Sequence, residues 1–121
     1  MYAECLNETG EVGQAYQYID MVRQRPSVNI VPLSIAKPGL TSDQMRKLIE
    51  HERIVELGGE CVRWFDLMRW GYFDDQALVD TLIKRDFEFG VKPFRPGKDK
   101  YKPIPQTEMD LNPNFTQNPG W

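Results

Sequence analysis

The single histidine of the chain, His51, opens the run His51-Glu52-Arg53-Ile54-Val55-Glu56. A histidine and glutamate side by side on a helix begin the two-histidine zinc motif of metalloproteases, but that chemistry needs a second imidazole one turn on. Position 55 holds valine, so zinc-protease chemistry is excluded for this chain. Glu52, Glu56 and Glu60 recur at a helical interval and could line a metal pair only with inward-facing ligands from other helices. The expectation is no metal site. Paired carboxylates could also exchange protons with a glycosidic bond. Here they alternate with Arg53, Arg63 and Arg69, and Asp66 stands three residues before Arg69. Guanidinium groups form planar, two-pronged bridges to carboxylates, so Glu52, Arg53, Glu56, Arg63, Asp66 and Arg69 are expected to form a structural ion-pair network. No catalytic residue is assigned.

Among these charges sit Trp64, Phe65, Trp70, Tyr72 and Phe73. Aromatic faces combine apolar area with fixed geometry and can stack on the apolar face of a sugar. Trp64 and Phe65 fall at helical spacing and are expected in the core. Tyr72 and Phe73 follow Gly71 in a loop-like position and are the candidate ligand contacts. The chain has no glycine-rich phosphate loop, dinucleotide fingerprint or nucleophile elbow, and no cofactor is expected.

The 121 residues, 40% hydrophobic and 27% charged, suffice for one domain with a real core and lie outside the composition of disordered chains. Fifteen basic residues are interleaved with 18 acidic ones for a net charge of −3, which argues against a nucleic-acid surface. No apolar run approaches a membrane span. Cys5 and Cys61 are too far apart in sequence for a local zinc or redox motif and are expected as buried free thiols, with one long-range disulfide as the alternative. Asn-x-Thr sequons stand at Asn7 and Asn114.

The elements that must position these groups read as mainly helical. Residues 1–7 resemble the last turns of a helix. A second helix is expected over 13–25, ended by Pro26, and the two make an antiparallel helical hairpin of the kind that TPR-like folds stack. Residues 27–40 form a connector whose apolar content implies packing. Thr41-Ser42-Asp43-Gln44 fits a capping box, predicting a helix over 42–57 that weakens at Gly58-Gly59. Short helices follow over 63–70 and 75–84. Six of the nine prolines lie in 93–121 together with Phe94, Tyr101, Ile104 and Trp121, predicting an extended, turn-rich and non-helical strap over 87–121.

Three blocks of the sequence, HERIVELGGECVRWFDLMRWG at 51–71, KYKPIPQTEMDLNPNFTQNPGW at 100–121, and YAECLNETG followed by a helix ending in VRQRPSV, resemble the C-terminal part of the SusD/RagB family. The resemblance implies an α-α superhelix with TPR-like hairpins, covered here by a single domain over 1–121 from a longer chain. It further implies a surface-exposed lipoprotein of the bacterial outer membrane, lipid-anchored through a preceding segment. Such a protein binds a glycan or another nutrient without catalysis and partners a SusC-like TonB-dependent transporter. These three blocks resemble the scaffold of the family, and residues 72–98 match no fixed pattern of it. The competing expectation is a protein-interaction module that docks on the transporter or on the rest of its own chain.

Overall fold

The computed structural model describes residues 1–86 and 94–121. They contain seven α-helices, one short 3-10 helix and no strand among the described residues. The chain divides into two compact units, Met1–Cys61 and Val62–Trp121.

In the first unit, α1 (Tyr2–Glu8) and α2 (Val12–Arg23) form a hairpin joined by residues 9–11. Gly10, at φ 88°, takes the left-handed conformation that this tight link requires. The second helix stops at Arg23, two residues before the expected end. The backbone N–H groups after it close a turn onto Asp20 and Val22 before Pro26 is reached. Helix α4 (Ser42–Glu56) starts as the sequence predicts. The Thr41 hydroxyl accepts from the Gln44 backbone N–H at 3.3 Å and the Gln44 side chain accepts from Thr41 N–H at 3.0 Å. These two reciprocal bonds satisfy donors that a helix start otherwise leaves open. It ends at Glu56, just before the two glycines, as the high cost of Gly in a helix interior favours.

Leu6, Ala15, Ile19, Leu33, Met45 and Ile49 form the core of this unit, drawn from both hairpin helices, the connector and α4. The connector is held by one stripe of α2. Tyr16, Asp20 and Arg23 stand at helical spacing. The Tyr16 hydroxyl donates to the Lys37 carbonyl at 2.7 Å and accepts from Leu40 N–H at 2.9 Å. Asp20 accepts from Leu33 N–H and the Ser34 hydroxyl, both at 2.5 Å. Arg23 Nε donates to the Val31 carbonyl at 3.0 Å. Asp20 thereby caps, from a distance in sequence, the single turn α3 (Leu33–Ala36) and lets Leu33 sink to 1% exposure.

The second unit contains α5 (Arg63–Arg69), a 3-10 turn (Tyr72–Asp74), α6 (Gln76–Asp86) and the strap of residues 94–121. Leu67, Phe73, Val79 and Leu82 are its buried core, with Trp64 and Phe94 packed against them. The strap departs from expectation in one respect, since it carries a short helix, α7 (Gln106–Leu111). Pro105 stands just outside that helix at its cap, where a missing N–H costs nothing, so proline here starts the helix. Residues 87–93 of the expected strap lie outside the described residues.

The strap closes on itself through its last five residues. The Gln117 side chain accepts from Ile104 N–H at 2.8 Å and donates to the Ile104 carbonyl at 2.9 Å, standing in for a neighbouring strand. Asn118 Nδ2 donates to the Lys102 carbonyl at 2.6 Å. Trp121 Nε1 donates to the carbonyls of Lys98 and Tyr101 at 3.2 and 3.0 Å, while the Lys98 ammonium lies 4.2 Å from its ring centre. Gly120 has φ 79°, and a Cβ there would meet the Lys98 side chain at 2.9 Å. Only glycine fits that close approach.

Two sequence expectations about burial are corrected here. Cys5 and Cys61 are free thiols but exposed. Cys5 lies on the outer face of the short α1, and Cys61 sits at φ 57° in the turn after α4. Phe65, expected in the core, is 66% exposed. A seven-residue helix buries one narrow stripe, and in α5 that stripe is Asp66 and Leu67.

Candidate ligand-binding surface

Gly71 ends α5 in the left-handed conformation at φ 76° and turns the chain into the 3-10 turn that carries both aromatic candidates. Consecutive residues of so tight a turn point in different directions. Phe73 points inward at 5% exposure, 4.5 Å from Trp64 and 4.6 Å from Phe94 between ring centres. Tyr72 is half-buried and meets Trp70 edge to face at 6.5 Å.

Trp70 is the centre of this surface. The Arg69 guanidinium lies 4.7 Å from its ring centre and that of Arg63 lies 5.8 Å from it. Asp66, buried at 4%, accepts from Arg69 Nε at 3.0 Å and so orients the guanidinium beside the ring. The arrangement combines a partly exposed indole, guanidinium groups lying over its ring and a half-buried phenol, aromatic area and cationic donors of the kind that recognise a planar or sugar-like face and its rim. Lys100 closes the neighbouring side. Its ammonium bonds Asp74 at 2.6 Å, which raises its pKa above the ordinary lysine value.

The six residues of the expected ion-pair network fall into both units. Glu52, Arg53 and Glu56 belong to α4, whereas Arg63, Asp66 and Arg69 belong to α5. Glu52 pairs with Arg23 at 2.5 Å, and Glu56 pairs with Arg25. Sequence reasoning missed both arginines because they lie a helix and a connector away from the acids. Their place in VRQRP, immediately after the apolar face of α2, is the one local signal that could have found them. Reasoning also missed Arg46, whose guanidinium takes the Glu8 carboxylate with two bonds of 2.8 Å, holding Glu8 below the usual carboxylate range. In the strap, hydrogen bonding to Arg95 pushes the Asp99 carboxyl down to about 2.

His51 is exposed on α4, and among the described residues no group of three or more His, Cys, Asp or Glu side chains is arranged to hold a metal ion. The sequon at Asn7 is sealed. Its side chain is 1% exposed and donates to the Ser42 carbonyl at 3.1 Å. Asn114 is exposed. No helix among the described residues is long and apolar enough to cross a membrane.

Comparison with known proteins places this helical arrangement. The sequence profile of the SusD family matches residues 1–121. The chain belongs to the SusD family. It is 36% identical over 115 residues to one SusD-like protein of Formosa agariphila and 32% identical over 127 aligned positions to a second, covering 93% and 98% of this chain. The crystal structure of a SusD homolog from Bacteroides thetaiotaomicron superposes with a TM-score of 0.73 at 36% identity over 99% of this chain. The chain spans 20% and 23% of the two curated relatives and 25% of the solved one.

Proposed function

We propose that this chain contributes to non-catalytic nutrient binding, with a glycan as the ligand class, at the outer surface of a bacterial outer membrane. The SusD-family match along the whole chain carries the reading. In this reading a SusC-like TonB-dependent transporter receives the ligand, membrane attachment comes from a lipid anchor on a preceding segment, and the two units act together as one scaffold domain. The helical hairpin, α4 and the closed strap hold shape. Trp70 and Tyr72 offer the aromatic surface to ligand, with Phe73 as the wedge beneath them. The ion pairs of Glu52, Glu56 and Asp66 serve structure, because each acid already holds an arginine.

A calorimetric screen of plant, host and microbial oligosaccharides against the 121-residue chain tests it. Binding that weakens at least tenfold in Tyr72→Ala with the melting temperature nearly unchanged supports a ligand surface here. Release of new reducing ends, lost in Glu52→Gln, would overturn the non-catalytic reading. A second reading, docking on another protein surface, draws on the exposure of Ile35 at 70%, Phe65 at 66% and Leu111 at 80%. Concentration-dependent self-association of the chain, abolished by Phe65→Ser, supports that alternative.

A further inference from the structure

The first unit contains a groove of about 740 Å³ between the connector and α4, distinct in chemistry from the aromatic surface. This volume falls in the range of small-ligand sites, roughly 300–1,000 Å³. One wall is the outer stripe of α4, where Lys47, Leu48, His51 and Val55 recur at helical spacing. The other wall carries Val28, Ile30 and Lys37 of the connector. No Phe, Tyr or Trp is among the described residues that line it, so it lacks the broad stacking face a sugar ring uses. Its apolar lining is aliphatic.

The charge on the groove is one-sided. Two carboxylates border it, and both are already taken by α2 and the turn after it: Glu52 by Arg23 at 2.5 Å and Glu56 by Arg25. Lys37 and Lys47 are exposed on opposite walls, and neither pairs with an acid among the described residues. The connector wall is also held in place, since Tyr16, Asp20 and Arg23 bond its backbone at four points. The groove is therefore preformed and does not need a ligand to assemble it.

We propose that this groove binds an amphiphilic carboxylate, with an aliphatic body along Val28, Ile30, Leu48 and Val55 and the carboxylate between Lys37 and Lys47. Charge-assisted hydrogen bonds from ammonium groups favour the anion, and aliphatic walls favour a methylene chain. This site is independent of the glycan reading, and neither needs the other.

The test is a titration of the 121-residue chain with octanoate, decanoate and dodecanoate below their micelle concentrations, followed by amide chemical shifts along α4. Binding should tighten by about fourfold for each methylene buried. The charge-reversal variant K37E/K47E, altered only at exposed positions, should weaken dodecanoate at least tenfold. V55D, also at an exposed position, should do the same without loss of helicity. A flat chain-length series, equal binding of dodecyltrimethylammonium, or unchanged affinity in K37E/K47E would each overturn the proposal. So would binding of an acidic amphipathic peptide to the groove with no shift from dodecanoate, which would make it a protein-docking surface. Oligosaccharide binding measured on the same variants reads the glycan proposal separately.

Discussion

The two units solve the same problem, keeping irregular chain in place, by different means. In Met1–Cys61 a helix does it, with three polar side chains of α2 reaching across to the backbone of the connector. In Val62–Trp121 the irregular chain does it to itself, with Gln117, Asn118 and Trp121 bonding strap carbonyls and N–H groups thirteen to twenty-three residues back. The first design depends on helix periodicity and tolerates exposed, variable residues between its contacts. The second depends on local turn chemistry at Asn, Pro and Gly and tolerates little.

The contrast breaks most decisively at the cores beneath each device. Phe73→Ala, which removes the ring that Trp64 and Phe94 pack against, should cost about 3–5 kcal/mol, read as a lower urea midpoint with unchanged slope. An effect under ~1 kcal/mol would show that the aromatic cluster does not support the second unit. Asp20→Ala comes next, at about 1–3 kcal/mol, because it strands the Leu33 N–H without its acceptor. Protection of the Leu33 and Ile35 amides from hydrogen exchange should fall with it, while Trp121 keeps its environment. Thr41→Ala removes one half of the capping box and should cost about 1 kcal/mol, most clearly as fraying of the first turn of α4 in exchange measurements.

The smallest effect is the most local. Asp99 has its carboxyl lowered from an ordinary 3.8 to about 2 by bonds from Arg95. A lowered pKa in the folded strap means its contribution is fully present above about pH 4 and is lost as the pH falls through about 2. The Asp99 side-chain resonance should titrate in that window, and Asp99→Asn should flatten the dependence. Titration at the ordinary value would show that the Arg95 contact is not kept in solution.

What the sequence revealed and what it hid divide along the reach of each interaction. The Thr41 capping box is visible because its two bonds join residues three apart. The hairpin is visible because apolar residues repeat on one face. The contacts of Asp20 and Tyr16 are not, since their partners lie thirteen to twenty-four residues on and bear no complementary charge. The helix after Pro105 was missed because a penalty proper to helix interiors was applied to a position outside the first turn. In the candidate surface, type and spacing singled out Tyr72 and Phe73 together, but the handed turn at Gly71 leaves Tyr72 half-buried at the margin of the core and buries Phe73 within it. That difference is three-dimensional, and no pattern of residue types encodes it.

The last residue of the strap carries a spectroscopic consequence. The chain has three tryptophans, and Trp64 and Trp70 lie in or beside α5, which leaves Trp121 alone at the closing point of the strap. Its indole N–H is shared between two carbonyls and its ring lies under an ammonium group. With the other two tryptophans replaced by phenylalanine, the emission of Trp121 becomes an optical gauge of closure, distinguishing an indole tied to backbone from one released to water. The protein thus comes with its own reporter at the seam where its most irregular segment is fastened.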